Sequence, residues 1–334
     1  MSERPNLFSF GTGELTQDAA LCWLLKWADV RNAAVDARMH QLGRGLVEAM
    51  FASAGVAAPE ACTVDLGRQV KDIDIVARLG ASHVLAIEDK VHSREHSNQL
   101  ERYAADLAGD YSQQTVVRIY LKTGDESGYA ASRRNGWATF SRAQLLAVLR
   151  TGEDLDNDVL REFTAHLEGI EDAVNAYRTL SPDQWKHHAW RGFFLDLQAR
   201  LGDGDWDYVP NPNGGFMGFW WGWREVPGGR VYLQLEEERL VLKVEAGQGQ
   251  SRSAVRDRLV SQVANGMLGD LGSRFERPAR LGHGAYMAFA RHKGDYRATR
   301  PDGLLLDMEA TLARLRELQG AVDLLAKSQG PARE

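Results

Sequence analysis

The stretch that decides the fold is DIDIVARLGASHVLAIEDK, Asp72 to Lys90. Two runs rich in Ile, Val, Leu and Ala flank Gly80, Ala81 and Ser82, the pattern of an antiparallel hairpin with a three-residue loop. Counting outward pairs Leu79 with His83, sets Asp74 opposite Glu88, and sets Asp72 opposite Lys90. Strand alternation puts Glu88 and Lys90 on one face and Asp89 on the other. Like charges directly opposed in a sheet destabilise it, and carboxylates on apolar strands cost more unless something compensates. A divalent cation would do so, and a few carboxylate oxygens with room for water are what Mg²⁺ prefers.

Outward from the hairpin, the pattern becomes a mixed sheet between helices. Upstream, ELTQDAALCWLLKWADV predicts a buried helix with Thr16 as N-cap and Asp18 in its first turn, and a second helix spans about Ala37 to Ala54, with Gly55 to stop it. CTVDLGRQ supplies a strand before the hairpin, so a three-stranded meander is expected. Downstream come a helix in SNQLERYAADLAG, a strand in TVVRIYLK, and in WATFSRAQLLAVLR a strand, a Ser141 cap and a helix. That order predicts an α/β sandwich around a mixed sheet. The acidic, turn-rich TGEDLDND predicts a boundary, with domains of 1–152 and 153–334. The second half reads as an α+β module. Its helices fall at about Val159 to Thr179, from Ser181, at Arg252 to Leu268 and at Leu304 to Leu325, and three strand-like stretches form an antiparallel sheet.

Composition narrows the class. The chain of 334 residues is 44% hydrophobic and 26% charged, without an apolar run long enough to span a bilayer, so no membrane association is expected. Cys22 and Cys62 make no disulfide framework, and the opening MSERPNLFSFGTGEL lacks the apolar core of a signal peptide; a cytoplasmic location is the expectation. A net charge of -6 argues against a surface that coats phosphate with positive charge, although a carboxylate metal site itself lowers the net charge.

Asp74 on one strand and Glu88-Asp89-Lys90 on the next resemble the core motif of the PD-(D/E)xK nuclease superfamily. Glu14 stands where an acidic helix residue often completes the metal site. Gln99 to Tyr103 resembles the Gln-x-x-x-Tyr motif of its exonuclease-like branch, both side chains sharing one helix face. The Pro expected before the first Asp is Ile73 here, a common departure, and the order of motifs looks like that of a bacterial family. The resemblance covers the N-terminal half and implies a restriction-endonuclease-like core. It also implies a nuclease acting on nucleic acid, DNA in the first instance, in defence or repair. Mg²⁺ or Mn²⁺ would be held by Glu14, Asp74, Glu88 and the backbone carbonyl of Asp89. Lys90 would orient the attacking water or offset phosphorane charge, with Gln99 and Tyr103 positioning the phosphodiester or water. Two rival readings keep the residues without the reaction: a catalytically silent nucleic-acid- or protein-binding module, and a structural set of cross-strand ion pairs among Asp72, Asp74, Glu88 and Lys90. A homo-oligomer and a protein partner for the C-terminal module stay open.

Other motifs carry less. His92 and His96 read as a polar loop and helix start rather than a metal pair, and the adjacent His187 and His188 point apart with no third ligand. There is no zinc signature and no phosphate-binding loop ending in Lys-Ser/Thr. In FWWGWR, alternation puts Phe219, Trp221 and Trp223 on one strand face, either core or a base-stacking platform beside Arg224. Arg252, Arg256 and Arg258 lie on a polar helix, a solvated face or a phosphate contact.

Overall fold

The computed structural model describes residues 5–91, 93, 98–211 and 214–327. His92 and His96 lie outside them. The chain divides into two compact units, 1–172 and 173–334. Among the described residues no helix is long and apolar enough to cross a membrane.

The first unit is built on a five-stranded sheet in the order β1 (Val64–Val70), β2 (Ile73–Leu79), β3 (His83–Lys90), β4 (Thr115–Lys122), β5 (Ala138–Ser141). The first three strands form the antiparallel meander, whereas β3–β4 and β4–β5 are parallel. Parallel neighbours need a crossover, which α3 (Gln99–Asp110) provides between β3 and β4, and the short α4 (Ala130–Arg134) lies between β4 and β5. β3 is covered on both faces and all its residues after His83 are buried, which accounts for its unbroken apolar run.

One sheet face is packed by α1 (Glu14–Trp27), α2 (Ala37–Ser53) and α5 (Arg142–Leu149) over Ile75, Ala77, Leu85, Ile87, Ile119 and Leu121. α3 covers the other through Leu100, Tyr103 and Leu107 against Val76, Val84, Ala86 and Tyr120. α5 opens with the Ser141 cap, in a reciprocal box with Gln144. α1, however, starts earlier than its Thr16 signal: Gly13 is the N-cap, and Glu14 occupies the first turn, where the helix dipole favours an anion. α2 approaches α1 closely at Gly43, where a Cβ atom would stand 2.5 Å from the Ala28 nitrogen.

The hairpin register is Leu79↔His83 through Ile75↔Ile87, so the ladder stops one pair short of Asp74 and Glu88. Asp72 does not come opposite Lys90. Lys71 and Asp72 take positive φ of 51° and 68° in a two-residue turn closing β1 on β2, and the Asp72 carboxylate pairs instead with Arg102 at 3.5 Å.

The boundary expected near residue 152 differs from the division at 172/173. α6 (Asp158–Asn175) places Leu160, Phe163 and Leu167 in the first core. Its amphipathic pattern reveals a buried face but not which core covers it.

The second unit carries a six-stranded antiparallel sheet in the order β10-β11-β9-β8-β7-β6. Its strands are β6 (Asp205–Val209), β7 (Phe216–Val226), β8 (Gly229–Glu236), β9 (Arg239–Ala246), β10 (Phe275–Glu276) and β11 (Tyr286–His292). Its helices are α7 (His187–Leu201), α8 (Arg252–Ala264) and α9 (Met308–Lys327). α7 follows a 3-10 turn at Pro182–Gln184 instead of starting at Ser181, and α9 begins after Asp307, whose carboxylate accepts the Ala310 N–H at 2.9 Å. In β7 a bulge between Trp221 and Arg224, with Gly222 at φ +68°, breaks the two-residue period. Phe219 and Trp221 are wholly buried in the core, while Trp223 stacks on Tyr232, a cross-strand neighbour of Lys243 that lies outside that core. The three rings therefore do not form one platform.

Candidate active site

The end of β3 presents three consecutive polar side chains in alternation. Glu88 and Lys90 point to the α3 side, and Asp89 points to the α1 side. Asp74 reaches the same place from β2. Its Oδ2 accepts the backbone N–H of Asp89 at 2.8 Å and its Oδ1 accepts the Gln69 amide at 3.0 Å. Where the sheet ladder runs out, a carboxylate thus takes over as acceptor, which holds Asp74 beside Glu88 in place of the missing backbone pair.

Lys90 stands between the carboxylates, its Nζ 2.5 Å from Glu88 Oε1 and 3.8 Å from Asp74 Oδ2. Burial opposes its charge, but the hydrogen bond and attraction of Glu88, with Asp74 and Glu14 behind, outweigh that and hold the ammonium above its ordinary range. The Glu88 carboxyl is pushed up to about 7, first by burial and then by Asp74, against the opposing effect of Lys90. Its Oε1 also accepts the Gln99 amide at 3.0 Å, whereas its Oε2 is buried with no hydrogen-bond partner among the described residues. Gln99 in turn donates to the Tyr103 hydroxyl at 2.9 Å, and that hydroxyl donates to the Asp72 carbonyl at 2.9 Å. One relay therefore ties α3 to the turn before β2 and to Glu88.

Glu14 meets the strand end from the other side. Its Oε1 accepts the Val91 N–H at 3.1 Å and the Ser93 hydroxyl at 2.8 Å. Below it on α1 lie two residues that the sequence reading did not assign to the site. Gln17 donates to Asp89 Oδ1 at 2.5 Å and accepts from the Thr123 hydroxyl at 2.8 Å. Asp18 is fully buried, both its oxygens without a hydrogen bond and Arg68 4.0 Å away; burial, then Asp74, pushes its carboxyl up to about 6. Asp89 is raised well above the usual range, by burial first and then by Asp18. The signal for this layer was present as acidic and amide residues within an otherwise apolar helix, with Asp18 four positions after Glu14.

Among the described residues no three His, Cys, Asp or Glu side chains gather as a ready metal cage. The donor set fits a different kind of site. Asp74 and the unpartnered Oε2 of Glu88 offer hard oxygens on residues that adjoin Lys90, and Mg²⁺ is commonly bound by one or two carboxylates with water and phosphate completing its shell. Of the α8 arginines, Arg256 is buried on the Gly282 carbonyl and Asp257, Arg258 donates to the Pro227 carbonyl, and Arg252 is exposed.

A mixed sheet flanked by helices, with acidic residues and a lysine at adjacent strand ends, defines a restriction-endonuclease-like fold. Residues 40–176 match the family model described as the PD-(D/E)XK nuclease superfamily, so this segment of the chain is similar to that superfamily. The matched segment contains Asp74, Glu88, Lys90, Gln99 and Tyr103 and begins after Glu14. No curated protein and no solved structure matches the chain.

Proposed function

We propose that the first unit is a divalent-metal-dependent nuclease that hydrolyses phosphodiester bonds of DNA, with Asp74, Glu88, Lys90, Gln99 and Tyr103 as its working residues. The observation that carries this reading is the convergence of Asp74 and Glu88 on the buried Lys90, with a buried Glu88 oxygen left over. An unpartnered carboxylate oxygen next to an ammonium is unfavourable as pure scaffolding and suitable for a cation. Asp74 and Glu88, with the Asp89 carbonyl and Glu14, would hold Mg²⁺ or Mn²⁺. Such an ion polarises the scissile phosphate and lowers the pKa of bound water.

The protein's own contribution is placement and charge. Lys90, kept protonated by its neighbours, faces negative charge as it builds on phosphorus and orients the attacking water. Gln99, fixed by Tyr103, spends both amide hydrogens on Tyr103 and Glu88 and so positions the phosphodiester or water through the Glu88 carboxylate. Gln17 locks Asp89 from behind, so the carbonyl between Glu88 and Lys90 stays in place. The superfamily match over residues 40–176 supports a nucleic-acid substrate, and DNA is the substrate we assign within it.

The test is incubation of the full chain with linear and circular, single- and double-stranded DNA, and with RNA, in Mg²⁺ or Mn²⁺, beside Asp74→Ala, Lys90→Ala and an EDTA control. The proposal expects metal-dependent cleavage of DNA that both substitutions abolish. Folded protein that cuts nothing and binds no Mn²⁺ through Asp74 would leave a silent binding module.

A further inference from the structure

The bulge at Gly222 separates the tryptophans of β7 into two groups. Phe219 and Trp221 are core, while Trp220 and Trp223 are only partly buried and line a cavity of about 450 Å³ with Tyr232, Gln234, Lys243 and Tyr286. The strand register assembles this set across the sheet: Trp220 lies opposite Gln234, and Tyr232 opposite Lys243. The rings of Trp223 and Tyr232 are stacked, with centroids 3.9 Å apart and planes within 19°. Tyr286, 55% exposed, stands edge-on to Tyr232, and the Arg230 guanidinium covers Trp223 at 4.8 Å from its ring centre. Helices pack this sheet's other face, through Phe219, Trp221, Leu233 and Leu242.

We propose that this cavity binds a nucleobase. Its volume lies in the range of small-molecule sites. Aromatic faces alone would suit many apolar guests, so the polar groups decide. Gln234 is 4% exposed, and its two hydrogen bonds, from the Tyr232 hydroxyl and to Glu236, are both stretched to 3.4 Å. Its amide has a donor and an acceptor to offer to the edge of a flat heterocycle, the combination a base edge requires. Lys243 also lines the cavity, its ammonium paired with Glu236 at 2.9 Å, so a ligand phosphate would meet it in competition with that carboxylate. Trp223 is enclosed between Tyr232 and Arg230, so the base would stack on the Trp220 and Tyr286 rings that also line the cavity, and such stacking tolerates any base.

The base could belong to a free nucleotide or to a single strand; in the second case the inference rests on the nuclease reading, and the module would grip the substrate. The experiment uses the full chain in EDTA, so that binding is read without cleavage. Tryptophan fluorescence and calorimetry follow titration with the four deoxynucleoside monophosphates, with a short single-stranded oligonucleotide, and with the same strand made abasic. Saturable quenching by base-bearing ligands is expected. It should weaken at least tenfold in Trp220→Ala, weaken in Gln234→Leu, and survive in Trp220→Phe, with circular dichroism confirming the fold. Response to monophosphates points to a free nucleotide, and response to the strand alone points to substrate. Equal binding of abasic and base-bearing strands without any response to monophosphates overturns the inference, as does unchanged affinity in folded Gln234→Leu. Because nothing is cut in EDTA, this outcome is independent of whether Asp74 and Lys90 support cleavage.

Discussion

The carboxylate of Asp74 accepts the backbone N–H of Asp89 at 2.8 Å, so a site residue on β2 completes the sheet at the place where backbone pairing with β3 has ended. Asp74→Asn keeps an acceptor there and removes the charge. The expected result is an intact thermal midpoint with cleavage reduced on the order of 100-fold, whereas Asp74→Ala should also lose about 1–2 kcal/mol of stability. Equal loss of stability in both variants would show that the charge serves the fold rather than the reaction.

Metal should stabilise the folded chain measurably. With Mn²⁺ at about 100 times its dissociation constant, the gain is about 2.7 kcal/mol. Differential scanning calorimetry with and without EDTA should show an upward shift in wild type and none in Glu88→Gln. A shift that persists in Glu88→Gln would place the ion elsewhere.

The relay through α3 makes Tyr103 a positioning residue. Tyr103→Phe removes the hydroxyl that fixes Gln99 and bonds the Asp72 carbonyl. A hydrogen bond of this type is worth about 1 kcal/mol, so kcat should fall by somewhat less than tenfold with KM little changed. A rise in KM alone would mean that the relay holds substrate rather than orienting Glu88.

Asp18 should write a pH dependence into stability. Its carboxyl titrates near 6 in the folded chain against 3.8 as the ordinary value, because burial and then Asp74 disfavour its charge. Between these values the folded state holds more protons than the unfolded one, so stability falls as pH rises through this window and the full cost stands above it. Asp18→Asn should therefore exceed wild type in chemical denaturation at pH 8, by up to about 3 kcal/mol, with the difference shrinking toward pH 4. A difference independent of pH would point to packing alone.

Gly43 couples α2 to α1 at close range. In Gly43→Ala the new methyl would lie 2.5 Å from the Ala28 nitrogen and 2.8 Å from the Leu24 carbonyl. Overpacking of this kind costs about 1–3 kcal/mol, and urea denaturation should show a loss in that range.

Much of this arrangement was legible in the sequence because it is local. The loop Gly80-Ala81-Ser82 set the hairpin register, and the two-residue period then fixed which face Glu88, Asp89 and Lys90 present. Glu14, Gln99 and Tyr103 were legible only through their resemblance to the superfamily's motifs, and the structure brings them to the end of β3. Gln17 and Asp18 were not, because inside an apolar helix a polar residue declares itself only through what stands across from it, here Asp89 and Arg68. Trp223 was assigned to the wrong face because one glycine with positive φ shifts the phase of a strand, and composition does not signal a bulge. The sequence of α6 shows an apolar stripe but not the partner for it, so the division between the units fell later than the acidic linker suggested.

The single amide hydrogen of Asp89 links these observations. It is held by Asp74 and sits between Glu88 and Lys90, on a residue whose own side chain is anchored to α1. Its isotopic exchange with solvent would slow only while β2, β3 and α1 are assembled together, which makes that one proton a clock for the integrity of the whole centre.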